Sequence, residues 1–369
     1  MRKNILLAPL AALLTMSPLS AQEPPKQEFP SPNAIVDAAP ASDWKAIAAS
    51  DLLVMDLAPD AKGDTRRVII QLMPPPFSQG WIGNIRKLAA AKFWDGTSIN
   101  RVQDNYVVQW GDAGYDNPES GEVEQKALPE GLVEVPESEY TTPTLPDFAG
   151  PIGFEGATER QIAFIKTAMS IARLHMGHLD IFGKDRDPDQ DVNNFVMARM
   201  ADRYSDINSF AEGWPVGGKR DDETLNTKFW PVHCYGAVGV GRNLSPNTGS
   251  GAELYTVIGH APRHLDRNIA VVGRIIEGID HLSSLPRGKG KLGFYADASK
   301  RVPIQSIRIA TDMPEAEQPR FEYLSTESKP FARYADARAN RRDPFFIKPA
   351  GGADICNIPV PVRRVKAEE

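Results

Sequence analysis

The chain is poor in cysteine and histidine and has no excess of basic residues. Two cysteines, Cys234 and Cys356, and six histidines occur in 369 residues, so at most one disulfide can form within the chain. Lys and Arg number 42 against 48 Asp and Glu, for a formal charge of −6. Phosphate binding needs clustered Lys and Arg, so a nucleic-acid partner is not expected. Beyond the N-terminal segment, no apolar stretch approaches the ~20 residues that span a bilayer. Gly239-Val240-Gly241 lacks the third glycine and the βαβ setting of a dinucleotide fingerprint. Asp185, Asp187, Asp189 and Asp191 alternate as in a calcium loop. Gln190 stands at the turn-glycine position and Val196 at the bidentate position, so an EF-hand is rejected. His175 and His178, with Asp180, lack a third ligand at a diagnostic spacing. No internal repeat is present, and nothing in the chain bears on oligomeric state.

What is present reads as an ordinary globular composition, 41% apolar and 24% charged. Residues 1–21 have the pattern of a secretory signal: Arg2 and Lys3, a mostly apolar Ile5 to Leu19, and Ser20-Ala21 before a cut ahead of Gln22. The other readings are an uncleaved anchor and a buried helix. A cleaved signal predicts an exported, periplasmic protein with no membrane contact after cleavage. An oxidising compartment would permit a Cys234–Cys356 disulfide; two buried free thiols are the alternative. The 31 prolines exceed the usual share of about 5% and predict long ordered loops.

Residues 22–49 read as a Pro-rich extended linker, with Ser42-Asp43 capping a short helix over Trp44 to Ala48. Leu52 to Leu57 and Arg67 to Met73 predict a hairpin. Ser78 to Ala91 predicts a helix with Ile82, Ile85, Leu88 and Ala89 on one face. Thr158 to Leu174, opened by a capping box, and Phe195 to Tyr204 predict two more helices. Lys289 to Phe294 and Val302 to Ile309 read as strands, the latter as a closing strand. Pro314 to Arg342 reads as partly helical, and Phe345 to Val365 as extended on the surface.

The densest motif is Phe93 to Asp112, FWDGTSINRVQDNYVVQWGD. It resembles the cyclophilin signature YDGxxFHRVIxxFMIQGGD. Three further blocks follow in the same order. Gly239 to Thr248 resembles G-x-A-R-x-x-x-P-N-T, Glu253 to Gly259 resembles SQFFITLG, and His264 to Arg274 resembles HLDGKHTVFGRV. The resemblance covers roughly 50–112 and 233–285. It implies a mainly β protein: a closed, eight-stranded, antiparallel cyclophilin-like barrel capped by helices. That domain would occupy 50–310, interrupted by a partly helical insertion at about 113–230 and followed by a C-terminal extension, 311–369. The insertion either grips clients or packs against the barrel.

The resemblance also implies a peptidyl-prolyl cis-trans isomerase with proline-containing polypeptides as partners. Rotation about an X-Pro amide breaks no bond, so no metal or cofactor is required. The catalyst must bind the twisted amide better than either planar form. By resemblance Arg101 donates to the pyramidal proline nitrogen, and Gln109 holds the substrate backbone or positions Arg101. Asn243 pairs with the peptide through its backbone. Tyr106, Val107, Glu253, Tyr255 or Leu254, His264, Leu265 and Ile269 form the proline pocket. Several of these depart from the family: Tyr106-Val107 replaces Phe-Met, Glu253 or Ala252 replaces Gln, Asn100 and Ile269 replace His. The pocket is remodelled, and a non-catalytic proline-peptide-binding or chaperone module is the alternative function.

Overall fold

A computed structural model describes residues 29–114, 118–122, 124–143, 204–220, 227–348, 350 and 352–365. Strand β1 (Trp44–Ile47) lies outside the barrel. The next four strands belong to it: β2 (Leu52–Leu57), β3 (Arg66–Leu72), β4 (Ser98–Val102) and β5 (Val107–Gly111). Strands β6 (Ile207–Ala211), β7 (Trp214–Arg220) and β8 (Thr227–Pro231) form a separate antiparallel sheet. The barrel resumes with β9 (Ala237–Val240), β10 (Leu254–Val257), β11 (Val271–Glu277) and β12 (Val302–Ile309), and it closes in the order β10-β5-β4-β12-β2-β3-β11-β9. The last strands, β13 (Phe321–Leu324) and β14 (Val362–Arg364), pair with β1 in the order β1-β13-β14. The mainly β, eight-stranded antiparallel barrel is therefore as the motifs imply.

The β2–β3 hairpin reads as continuous apolar runs because both of its faces are covered. Leu53, Met55, Leu57, Val68, Ile70 and Leu72 point into the barrel core. Leu52, Val54 and Ile69 point outward and pack with Ile47, Phe321 and Tyr323 of the β1-β13-β14 sheet. A strand buried on both faces loses its polar alternation. Asp60 closes the hairpin loop, its Oδ1 accepting from the backbone N–H of Lys62 at 2.8 Å and Asp64 at 3.0 Å. β12 pairs with β2 on one side and β4 on the other, and so is the closing strand.

Helix α1 (Pro32–Asp37) lies where an extended linker is predicted. Ser31 Oγ caps it by accepting from Ala34 N, and Pro32 opens its first turn. Helix α2 (Gln79–Ala90) lies where the periodicity places it and buries Trp81, Ile82, Ile85, Leu88 and Ala89. After the short α3 (Asp280–Ser283), α4 (Lys329–Ala339) begins at a Ser328 cap. Ile35 of α1 packs with Phe331, Tyr334 and Ala335 of α4, Trp44, Phe210 and Ile355 in a second core.

Three local readings are corrected. Trp44–Ile47 is a strand, not a short helix: it pairs with β13, placing Trp44 in the second core and Ile47 against the barrel. Pairing with a distant strand outweighs the weak propensity of four residues. Lys291–Gly293 is a 3₁₀ turn where a strand is predicted. The tail from Phe345 does not simply lie on the surface: Ile355 and Ile358 are buried and Val362–Arg364 is β14. The predicted helix Thr158–Leu174, nearly all of Phe195–Tyr204, and the His175 and Asp185 clusters lie outside the described residues.

Within the insertion, several described side chains pack inward. Tyr140 stacks on Trp81 with ring centroids 5.3 Å apart, and Val135, Trp214, Val216 and Phe229 join the barrel core. Cys234 and Cys356 form a disulfide with Cα atoms 5.1 Å apart, tying the β8–β9 connection to the tail.

Candidate active site

Four strands set one row of side chains. Arg101 on β4 lies opposite Gln109 on β5, Gln109 lies opposite Tyr255 on β10, and Tyr255 lies opposite Gly239 on β9. A bulge gives the row its direction. Ile99 pairs with Trp110 and Arg101 with Gln109, so Asn100 is the extra residue. In a regular pairing without the bulge, Arg101 would share the inward face of Ile99, because strand side chains repeat every second residue. The bulge turns Arg101 outward while Ile99 and Val102 stay in the core.

The row forms one wall of a groove of about 430 Å³. Arg101, Tyr106, Val107, Gln109, Asn243, Glu253, Tyr255, Leu265 and Ile269 all line it. Two other sequence candidates do not. Leu254 is in the opposite phase to Glu253 and Tyr255 and sits in the barrel core, 1% exposed. His264 is exposed and stacks on Tyr106, ring centroids 6.5 Å apart. Strand phase also decides between the two readings of the third block. Glu253 and Tyr255 face the groove, whereas Ala252 is buried and its carbonyl accepts from Trp94 Nε1 at 2.8 Å.

Arg101 is fixed by neutral acceptors. Its Nε donates to the Leu292 carbonyl at 2.7 Å, Nη1 donates to Gln109 Oε1 at 3.1 Å, and Nη2 donates to Gln103 Oε1. Its guanidinium lies 5.7 Å from the Tyr106 ring centroid and 5.6 Å from that of Phe294. Among the described residues no carboxylate forms an ion pair with it. Burial lowers its pKa from the ordinary arginine value; such a group is still cationic at neutral pH. Of five N–H donors, three are spent on the protein, which leaves two for a ligand.

Gln109 has a defined orientation. Its Nε2 donates to Glu253 Oε2 at 3.2 Å. A carboxylate only accepts, so the amide nitrogen faces Glu253 and the carbonyl faces Arg101. Gly111 makes room for that carboxylate: with φ of +145°, a Cβ there would lie 2.1 Å from Glu253 Oε1. Burial raises the Tyr106 pKa and raises that of Tyr255 well above the ordinary value, so both are neutral phenols.

The Asn243 backbone is engaged. Its N–H donates to Asn247 Oδ1 at 3.2 Å, and its carbonyl accepts from Arg242 Nη1 at 2.7 Å. A peptide pairing here would share the carbonyl and displace the Asn247 contact.

Other groove residues escape the motif reading. Leu292 and Phe294 arrive from the loop before β12, and Glu119 from the insertion. Glu119 Oε1 meets Lys291 Nζ at 3.2 Å, joining the two arms. The glycines of that loop are a usable signal. Gly293 has φ of +84°, and a Cβ there would lie 2.8 Å from Gln103 Cα, a close approach only glycine allows. Among the described residues no three metal-ligating side chains cluster.

The model of the family described as cyclophilin type peptidyl-prolyl cis-trans isomerase/CLD matches residues 80–311. No curated protein matches the chain. A cyclophilin from Hirschia baltica is similar in structure, with a TM-score of 0.55 at 17% identity over 88% of this chain and 95% of that one. A cyclophilin-type isomerase from Cryptosporidium parvum, crystallised in the presence of the dipeptide Ala-Pro, gives 0.32 at 10% identity over 69% and 98%. The family match spans more than half of the sequence and runs through the barrel and its groove: the chain belongs to the cyclophilin-type peptidyl-prolyl cis-trans isomerases.

Proposed function

We propose that the groove isomerises X-Pro bonds of exported proteins, with Arg101 stabilising the twisted amide. One observation carries this reading: a half-buried guanidinium, whose acceptors among the described residues are neutral, stands on the wall of a groove that also offers apolar surface from Val107, Leu265 and Ile269. Twisting the amide ends its resonance, and the proline nitrogen regains a lone pair. A preorganised cation then gains a hydrogen bond that neither planar form offers, which lowers the barrier and not merely the binding energy. Gln109 keeps Arg101 in place and is itself aligned by Glu253. Val107, Leu265 and Ile269 supply apolar walls for the proline ring, and Tyr255 its floor. The Asn243 backbone pairs with the peptide, its N–H once the Asn247 contact is released and its carbonyl shared with Arg242.

Export is supported by the N-terminal sequence pattern and by the Cys234–Cys356 disulfide. Chains refolding after translocation isomerise their prolines over tens of seconds unaided, a step such an enzyme shortens. A protease-coupled assay on short X-Pro peptides tests the activity. Binding without acceleration would identify a non-catalytic holder of proline peptides. Fractionation of cells expressing the full chain tests the periplasmic location.

A further inference from the structure

Behind Tyr255 lies a chain of buried polar groups that the isomerisation does not use. Tyr255 Oη is 2.9 Å from His233 Nε2, and His233 Nδ1 is 2.9 Å from Asp266 Oδ1. Asp266 Oδ1 also accepts from the His233 backbone N–H at 3.0 Å, and Arg263 Nε donates to Asp266 Oδ2 at 2.7 Å. Tyr255 and Arg263 are 5% exposed, Asp266 2% and His233 0%. The carboxylate can only accept, so His233 carries its proton on Nδ1 when neutral, and Nε2 accepts from the neutral Tyr255 phenol. With His233 neutral, the phenol proton points away from the groove. Gly239 completes the seat: a Cβ there would lie 2.3 Å from Tyr255 Oη. The His233 and Tyr255 rings are near parallel, at 8°. Cys234, the next residue, is clamped to Cys356, and Arg263 Nη1 reaches Asp354 of the same tail at 3.9 Å.

We propose that His233 and Asp266 are positioning residues for the groove, holding Tyr255 by its hydroxyl so that its ring forms the floor. The proposal rests on the reading of the groove as an X-Pro site. A proline ring touches that floor in planar and twisted forms alike. Losing the position should therefore weaken binding of both and raise KM with little change in kcat. That separates this device from Arg101, whose contact exists only at the barrier.

The test is a double-mutant cycle on the full chain, with His233→Ala and Tyr255→Phe. The readouts are Kd for the peptide Ala-Ala-Pro-Phe by calorimetry, and kcat and KM for its isomerisation. Each single change should raise Kd about three- to tenfold, the scale of one buried hydrogen bond. In the Tyr255→Phe background, His233→Ala should add no more than about twofold, because the shared bond is already gone. His233→Gln, whose Oε1 can accept from the phenol, should stay within about twofold of the wild type. If His233→Ala does not fold, His233→Leu, which fills the site but cannot accept from the phenol, takes its place in the cycle. A wild type that binds, with losses that add or with no rescue by glutamine, leaves the X-Pro reading standing and overturns the positioning role. A wild type that does not bind the peptide removes both.

Discussion

Replacing Cys234 and Cys356 together by serine should cost the fold about 2–5 kcal/mol. The bridge joins residues 122 apart in sequence, so it closes a long loop in the unfolded chain. At 25 °C the chain-entropy relation gives about 5 kcal/mol for a loop of that length. The lower end of the range applies if the unfolded chain stays compact or if native contacts hold the tail without the bridge. Such contacts exist. Tyr334 Oη donates to the Pro359 carbonyl at 2.7 Å, Arg338 Nε donates to the Asn357 carbonyl at 2.8 Å, and Ile355 and Ile358 are buried in the second core. Serine is smaller than cysteine by little, so the cavity contribution is minor. Urea unfolding followed by tryptophan fluorescence and by far-ultraviolet circular dichroism measures the effect. Coincident transitions would license a two-state value, and the midpoint shift at constant m gives the loss. Wild type treated with a dithiol reductant should match the double serine variant. A loss below about 1 kcal/mol would refute the claim that the bridge adds to the packing that holds the tail.

Three further outcomes are expected. Arg308 grips Asp95 with two bonds, 2.7 and 2.6 Å long, and holds its carboxyl below the ordinary range. A depressed folded pKa gives stability that is present above the unfolded value of about 3.9 and is lost as pH falls through the folded one. Asp95→Asn should therefore cost about 1 kcal/mol at pH 7, and the gap to wild type should close below about pH 4 in acid titrations of unfolding. Val107→Ala removes part of the groove wall, and peptide Kd should rise about tenfold at ~0.8 kcal/mol per methylene, as read by calorimetry. Replacing residues 117–227 by a short Gly-Ser linker strips Val135, Tyr140, Trp214 and Val216 from the barrel core; thermal unfolding should show a severely destabilised or unfolded chain.

The groove was legible where its chemistry lies on contiguous strands. The signature block holds β4 and β5, and the third block holds β10, so Arg101, Gln109 and Tyr255 could be placed by motif. Their common row was not legible, because it depends on the Asn100 bulge, which is a property of the pairing and not of the residues on β4 alone. The β2–β3 hairpin and α2 were legible because each carries a strong periodic or continuous apolar signal. Strand β1 and helix α1 were not. Each is short, and each owes its conformation to an element some 280–300 residues away, β13 and α4. Leu292 and Phe294 were missed because a loop that packs through its glycines has no hydrophobic period. His233 carried no signal of its own. Its link to Tyr255 exists because this chain has a phenol where the family has a phenylalanine, and a glycine opposite to receive it.

The central claim is that Arg101 acts on the barrier. Its most direct test is the kcat and KM of Arg101→Ala on a short X-Pro peptide, with the peptide Kd measured in parallel. Loss of one preorganised donor at the reacting nitrogen should lower kcat by roughly 10²-fold, while Kd changes by no more than about threefold. Turnover near that of the wild type, or a loss confined to Kd, would contradict the account.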